Sequence, residues 1–307
     1  MDKKIKNVLI CGLGAIGSIY ATKIKDNNIT NLKILVDENR LNKYKTTPLI
    51  FNGKPYVFDY TTPDNNDYKA DLIIIATKNN TLKEVLKNIK NFVIEDTLII
   101  SLLNGLKSEE LIAKEFGKEK IIDSYYIGHT STRTNRQIIH DGIYKTVFGE
   151  KNNTTLTSRV LKVKDFLEKN HIPFEIPIDM EYSKWWKFLV NIGYNQASVI
   201  FNAPYKDFQQ NEAINNFAIQ LMKEAASIAK AENVNNTEKF IPEILDVIKG
   251  MRPETKTSML QDVEAKRETE IDSFAGYVIE LANKHNIDTP YNKVVYDIIK
   301  AIDAKTK

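Results

Sequence analysis

The chain has 307 residues, 42% of them hydrophobic and 27% charged, and its 43 basic and 40 acidic side chains leave a formal net charge of +3. This is ordinary globular usage with room for two domains, which excludes a disordered chain, a collagen-like chain and a coiled-coil rod. The near-neutral balance gives no support to a dedicated nucleic-acid binder, no apolar run approaches the roughly 18 residues of a membrane span, and a single cysteine, Cys11, excludes an intramolecular disulfide and a cysteine-built zinc site.

The first residues, Met-Asp-Lys-Lys-Ile-Lys, run directly into an apolar strand with no small-residue cleavage site. A soluble cytoplasmic protein without nucleic-acid or membrane partners is therefore expected. Ile5 to Cys11 predicts the first strand, Ala15 to Asp26 a helix and Leu32 to Asp37 a second strand. Leu49 to Phe51 and Tyr56 to Phe58 predict a hairpin about Asn52-Gly53, a pair suited to a tight turn. Asp71 to Ala76 is almost continuously apolar, as a strand buried on both faces is. Thr81 to Phe92 places Leu82, Val85, Leu86 and Ile89 on one helical face. Thr97 to Leu102 predicts another buried strand and Ser108 to Phe116 another helix. The alternation predicts an α/β domain with a parallel sheet. From Ile121 to Glu150 the pattern turns strand-like, and Ile121-Ile122, Gln137 to His140 and Ile143 to Phe148 are expected as antiparallel strands closing this domain. Leu156 to Asn170 predicts a helix and Phe174 to Ile176 a short strand. After Pro177 nearly everything has helical period, broken near Pro204, Pro242, Pro253 and Pro290. The boundary falls near Ile178, with an α/β domain over 1–178 and an all-helical domain over 179–307.

The strongest local motif is Gly12-Leu13-Gly14-Ala15-Ile16-Gly17, between a predicted strand and a predicted helix. That context makes G-x-G-x-x-G a dinucleotide-binding fingerprint: Gly12 permits the tight turn, Gly14 admits the pyrophosphate, and Gly17 lets helix and sheet pack closely. The helix N-terminus offers N–H groups and partial positive charge to the phosphates. Asp37 lies 20 residues beyond Gly17, where an acid would bind the adenosine ribose hydroxyls of NAD. Arg40 is placed instead for a 2′-phosphate. Lys78 and Asn104 each follow a predicted strand, at the carboxyl edge where ligands bind in open α/β sheets; a solvent-facing lysine and an ordinary Asn-Gly turn are the plainer alternatives.

Trp185 to Asn195 is apolar, yet Lys187, Asn191 and Asn195 recur every fourth residue and share one stripe of a helix. Buried lysine and asparagine are costly without partners, so the stripe points to a polar cleft between domains. A lysine ammonium can protonate and stabilise a developing alkoxide, and asparagines can bind a carboxylate or an amide. The plainer alternative is a snorkelling lysine with asparagines capping loops. Trp185-Trp186 reads as domain packing. In Thr257 to Asp262 and Arg267 to Asp272, composition alone singles out neither Ser258 nor Glu270, and the acids read as a solvated helix face. His129, His140, His171 and His285 share no metal-ligand spacing, and no metal is expected.

The glycine turn, Asn104-Gly105 with Ser108-Glu109-Glu110, Lys184-Trp185-Trp186-Lys187 with Asn191 and Asn195, and Ser258-Met259-Leu260-Gln261-Asp262 with Thr269-Glu270-Ile271-Asp272 together resemble the ketopantoate reductase (2-dehydropantoate 2-reductase) family, over nearly the whole chain. The resemblance implies a Rossmann-type dinucleotide-binding domain, an all-helical C-terminal domain, and reduction of 2-dehydropantoate to (R)-pantoate in the pantothenate and coenzyme A pathway, at a site between the domains. It implies Lys187 as general acid, Asn191, Asn195 and Ser258 as substrate-binding residues, and Glu270 as the acid that binds the substrate hydroxyl and adjoins the cofactor. It also implies Asn104 near the nicotinamide. The family usually uses NADPH and often bears an arginine where this chain has Asp37, so NADP(H) follows from the resemblance and NAD(H) from Asp37. A further family asparagine falls at Tyr205. The expected partners are a small-molecule 2-oxo acid and a second copy in a homodimer. The rival readings are a reductase of another 2-oxo acid and a dinucleotide-sensing protein without turnover.

Overall fold

Residues 4–128 and 132–306 are described by a computed structural model, and they fall into two units. One takes the chain up to Asn104 together with Ser108–Met180; the other takes Gly105–Lys107 and the chain from Glu181 onward.

The first unit comprises β1 (Asn7–Cys11), α1 (Ala15–Asn27), β2 (Asn31–Leu35), α2 (Glu38–Thr46), β3 (Leu49–Phe51), β4 (Lys54–Tyr56), β5 (Asp59–Thr61), β6 (Leu72–Ile75), α3 (Leu82–Asn88), β7 (Leu98–Ser101), α4 (Lys107–Phe116, entered from the second unit), β8 (Ile121–Gly128), β9 (Thr132–Thr134), β10 (Gln137–Ile139), β11 (Tyr144–Gly149), α5 (Ser158–Lys169) and β12 (Phe174–Glu175). The main sheet runs β12-β11-β8-β7-β6-β1-β2-β5. Its pairs are parallel except β8 with β11. The apolar strands dictate two covered faces: Val8 and Ile10 of β1 enter a core with residues of α1 and α5, while Leu9 and Cys11 enter another with residues of α3 and α4. Because β1 lies between β2 and β6, the strand order reverses there, and the carboxyl end of β1 is the sheet's topological switch point.

Several expectations shift. Asp37 does not end the second strand; β2 stops at Leu35, and Asp37 is the N-cap of α2, a helix with no buried residue and hence no apolar period to reveal it. The expected helix over Thr81 to Phe92 is α3 flanked by tight 3₁₀ turns at Asn79–Thr81 and Lys90–Phe92. The hairpin forms about Asn52 and Gly53, both at positive φ, but its second strand is Lys54–Tyr56, not Tyr56 to Phe58. Gln137 to His140 does not close the main sheet: β10 joins a separate sheet of order β4-β3-β10-β9. Ile121-Ile122 is only the start of the longer β8.

The second unit is helical: α6 (Met180–Val190), a π-helical turn at Asn191–Asn195, α7 (Gln196–Phe201), α8 (Tyr205–Gln210), α9 (Glu212–Ala231), α10 (Phe240–Lys249), α11 (Ser258–Glu264), a 3₁₀ turn at Ile271–Ser273, α12 (Ala275–His285) and α13 (Pro290–Thr306). Its core is built on Phe188, Leu189 and Ile192 with Leu221, Met222, Phe274 and Val278. Each such side chain contributes about 1.5–3 kcal/mol by burial. Trp185 packs into this core, edge-on to Phe188 at 5.7 Å between ring centres. The buried Gln196 ties the elements together: its amide donates to the Ile192 carbonyl (2.7 Å) and to Asn292 (3.2 Å), and its oxygen accepts the Ala275 N–H (2.9 Å). Among the described residues no helix is long and apolar enough to cross a membrane.

Among the described glycines of the first unit the tightest surroundings are at Gly17, where a Cβ would stand 1.9 Å from the Gly12 carbonyl oxygen. Gly17→Ala is expected to cost about 1–3 kcal/mol and lower Tm by several degrees. Gly250→Ala, whose Cβ would stand 3.6 Å from its nearest neighbour, is the control expected to stay within about 0.5 kcal/mol. Equal thermal melts for the two variants would contradict the close approach.

Candidate active site

At the switch point the chain leaves β1 through Gly12 at φ +99, a conformation that favours glycine. A Cβ there would meet the Ala76 carbonyl oxygen at 2.6 Å and the Thr77 methyl at 2.8 Å, so the turn lies against the segment leaving β6. The Ala76 N–H donates to the Cys11 carbonyl at 2.8 Å. Gly14 is the N-cap of α1 and has no side chain to cap it, which leaves the helix N-terminus to an anion. The Thr77 hydroxyl is buried without a partner among the described residues. Residue types and backbone shape here fit a dinucleotide pyrophosphate.

The other first-unit candidates lie at the carboxyl ends of neighbouring parallel strands. Asp37, after β2, accepts the Arg40 N–H at 2.7 Å and faces the Arg40 Nε at 3.4 Å. Both side chains are largely exposed, so this pair contributes little stability. Lys78 follows β6, and its carbonyl accepts from the N–H (3.1 Å) and hydroxyl (2.9 Å) of Thr81. Asn104 follows β7, and its carbonyl accepts from the Asn79 side-chain amide at 2.9 Å. Sequence reasoning passed over Thr77 and Asn79; neighbours of Lys78 at a strand's carboxyl end are the signal that pointed to them.

In the second unit, Lys187 lies one turn before the π-helical segment that carries Asn191 and Asn195. The α-helical spacing assumed for the stripe therefore holds only to Asn191. Gly193 explains the local widening, since a Cβ there would stand 2.7 Å from Cγ of Met222 on α9. The stripe nevertheless stays together: the Asn195 amide donates to Asn191 Oδ1 at 2.9 Å. Asn195 Oδ1 accepts from the Met259 N–H and the Ser258 hydroxyl, both at 3.2 Å.

A backbone N–H can only donate, and this fixes every amide in the chain of bonds. Asn195 must turn its oxygen to Met259, so its nitrogen faces Asn191. Asn191 must then turn its oxygen to Asn195, which leaves Asn191 Nδ2 as a buried donor without a partner among the described residues. Asn191 is 2% exposed. Lys187 is half-buried and has no hydrogen bond or ion pair among the described residues. Desolvation pushes its amine from 10.5 down to about 8. An ammonium and an amide N–H, both uncompensated, call for an anionic ligand rich in acceptor oxygens.

The structure thus joins Asn191, Asn195 and the exposed Ser258, at the start of α11, in one network. Glu270 is placed by a different anchor. Thr269 donates to Asp303 of α13 through its N–H (3.1 Å) and its hydroxyl (2.7 Å), and half-buried Glu270 follows as the entry to the 3₁₀ turn. The expected helix face of acids is not one helix: α11 ends at Glu264, and Arg267 folds back to pair with Asp262 at 2.8 Å. Tyr205 packs its half-buried ring 6.4 Å from that of Tyr194, and burial pushes its hydroxyl up to about 12. His140 bonds Tyr126, and His285 bonds Glu232. His129 lies outside the described residues, and among those described no cluster has the makings of a metal site.

Two family models match the chain: ketopantoate reductase PanE/ApbA over residues 8–153 and ketopantoate reductase PanE/ApbA C terminal over residues 179–303. The chain belongs to the ketopantoate reductase family. As a member it is an oxidoreductase whose cofactor class is the nicotinamide dinucleotides. It is 26% identical over 311 residues to the 2-dehydropantoate 2-reductase of Nostoc sp., covering 97% of this chain and 95% of that one. Its fold is similar to that of a dimeric ketopantoate reductase from Staphylococcus aureus (TM-score 0.81, 21% identity, 98% and 100% of the two chains). It is also similar to that of D-mandelate dehydrogenase with NADH and anilino(oxo)acetate (TM-score 0.86, 22% identity, 98% and 99%).

In this family member the desolvated Lys187 is a stability liability. Below pH 8 the folded and unfolded chains both carry the charge, and the folded one carries it partly out of water. Between about pH 8 and 10.5 the unfolded chain holds a proton that the folded chain has lost, so stability rises with pH. Lys187→Met is expected to raise stability at pH 7 by on the order of 2 kcal/mol, after allowance for the lysine's contact with water. The gap should close as pH approaches 10.5. Melting curves at pH 7 and 10 check this; a variant less stable than wild type at pH 7 would contradict it.

Proposed function

We propose that the protein reduces a 2-oxo acid to its 2-hydroxy acid with a nicotinamide dinucleotide, and that the substrate is 2-dehydropantoate, giving (R)-pantoate. The observation that carries this reading is the pair of uncompensated donors, the Lys187 ammonium and Asn191 Nδ2. A 2-oxo acid supplies a carboxylate and a carbonyl oxygen as their complement.

The turn at Gly12–Gly17 and the N-terminus of α1 hold the pyrophosphate, with Leu13, Ala15 and Ile16 completing the turn. Asp37 accepts from the ribose hydroxyls, Lys78 adjoins the phosphates, and Asn104 and Glu270 adjoin the nicotinamide. When bound, the nicotinamide supplies the hydride that adds to C2. Lys187 donates the balancing proton to the C2 oxygen, becomes a neutral amine, and takes a proton from water. Its lowered pKa eases that transfer at neutral pH. Asn195, held by Met259 and Ser258, fixes the orientation of Asn191, so the substrate meets a donor already aimed. Glu270 accepts from the substrate hydroxyl. A carboxylate at the N-cap of α2, just beyond β2, disfavours a 2′-phosphate, which supports NAD(H) over NADP(H), with Arg40 drawn to Asp37. The homodimer reported for the Staphylococcus aureus relative belongs to the same proposal, and sedimentation tests it.

A second substrate is favoured by Tyr205, which replaces a polar amide with a half-buried aromatic ring, and by the likeness to D-mandelate dehydrogenase. On that reading the acid carries a bulkier or aromatic group. Steady-state assays of ketopantoate, pyruvate and phenylglyoxylate decide between them. No turnover of any 2-oxo acid, with dinucleotide still bound, would leave a dinucleotide sensor.

Lys187→Ala is expected to lower kcat about 10²–10⁴-fold with dinucleotide Kd changed less than about threefold; turnover at the wild-type rate would remove Lys187 from the chemistry. In the wild type, kcat/KM for reduction should fall as pH rises through about 8, because the free enzyme loses its acid form, and kcat/KM for the reverse oxidation should rise there. Asp37→Ala should move the kcat/KM ratio toward NADPH by about tenfold, measured with both cofactors. An unmoved ratio would separate Asp37 from cofactor choice.

A further inference from the structure

α13 is apolar on two sides. Val295 and Ile299 turn into the core of the helical unit, beside the buried Asn292 and Asp303. On the outward side Tyr291, Val294, Ile298 and Ala301 are exposed, the three large ones by 42%, 57% and 42%. Steps of three, four and three residues line them up in one stripe along the helix. A surface helix needs one apolar stripe to face its own core and has no internal use for a second.

The stripe continues past the start of α13. The Tyr291 ring meets Phe217 of α9 edge-on at 5.9 Å, and Phe217 meets Phe201, at the end of α7 and 41% exposed, edge-on at 5.2 Å. Single exposed apolar side chains are normal, whereas a contiguous strip marks a contact surface. At these exposures the strip presents about 300–400 Å² of apolar area. Homodimer interfaces are about 65% apolar, so a strip of this size corresponds to roughly 1,000 Å² buried over two copies, about the least that a specific interface needs.

We propose that a second copy of this chain docks on the strip, with the two α13 helices antiparallel about a twofold axis. The homodimer put forward under the proposed function thereby gains a surface, and the assignment rests on that reading. An isologous contact lays the strip on itself, and the residues are graded for it. With the helices antiparallel, Tyr291 faces Ala301 of the second copy, large against small, and Val294 faces Ile298. No charge is buried along that part of the seam. Beyond it, exposed Lys305 continues the same spacing and has no ion pair among the described residues. Its ammonium reaches the Phe201–Phe217–Tyr291 rings of the second copy, where a cation is favoured over aromatic faces.

Sedimentation velocity on the full chain, from about 1 to 100 μM, tests this. The samples are wild type, Val294→Lys, Ile298→Glu, an equimolar mixture of those two, and Val247→Lys, which alters an exposed valine of α10 as a control. The wild type is expected to be a reversible dimer. Each α13 variant alone should raise the monomer–dimer Kd at least about thirtyfold, as the loss of a central contact does. The mixture should recover most of that loss, because the new lysine of one chain then faces the new glutamate of the other. Val247→Lys should match the wild type, and all variants should keep Tm within about 3 °C. If a charged variant melts lower, Val294→Ser or Ile298→Ser replaces it with the same expected loss. A wild type monomeric throughout overturns the proposal together with the homodimer. A dimeric wild type whose α13 variants dimerise equally well overturns this surface alone, and variants that dissociate without recovery in the mixture overturn the antiparallel pairing.

Discussion

One buried amide nitrogen organises the helical unit. Asn191 Nδ2 has no partner among the described residues because the Met259 N–H forces Asn195, and Asn195 forces Asn191, into the orientations that satisfy their bonds. Leaving a buried donor unpaired costs about 1–3 kcal/mol, and the partly desolvated Lys187 one turn away adds its own penalty. A fold that sustains both without internal compensation is built to receive the compensation from outside. The rest of the unit holds that arrangement in place: Gln196 ties Ile192 to α12 and α13, and the Ser198 hydroxyl takes up the Asn195 carbonyl at 2.8 Å.

The π-helical turn makes this possible. In an unbroken α-helix, Lys187, Asn191 and Asn195 would drift round the axis by some 40° at each step. The widened turn at Asn191–Asn195 changes that progression where Gly193 lets α9 approach, and it brings the two carboxamides within 2.9 Å of each other. Local irregularity of this kind is common where side chains must converge on a ligand. The α/β unit solves a parallel problem with regular parts. Parallel strands deliver the Gly12 turn, Asp37, Lys78 and Asn104 to one edge of the sheet without unusual backbone except at glycine.

Much of this was legible in the residues. Apolar runs such as Leu72–Ile75 mark strands buried on both faces, and the glycine turn marks the switch point. Fold class and family follow from those features and from the lysine-asparagine helix. What escaped had no apolar signature. α2 is polar on every side and begins at a side-chain cap, so Asp37 read as a strand end. β5 is three residues long. The separate small sheet depends on β10 pairing with β3, far away in sequence, and no local pattern carries that. The orphaned donor was invisible too, since amide orientation is set by a bond to Met259, 64 residues away. Asn79 escaped because its partner is a backbone carbonyl, which any residue type at 104 would supply.

The central claim is that Lys187 is an ammonium of lowered basicity waiting for an anion. Nuclear magnetic resonance of protein carrying ¹³Cε-labelled lysine, with Lys187→Met to assign the signal, reads that group directly. The account predicts a midpoint near 8 in the free protein and a higher one when an unreactive 2-hydroxy acid is bound beside it, since a neighbouring carboxylate favours the charged form. A Lys187 signal that titrates above 10, and does not move when the acid is added, would contradict it.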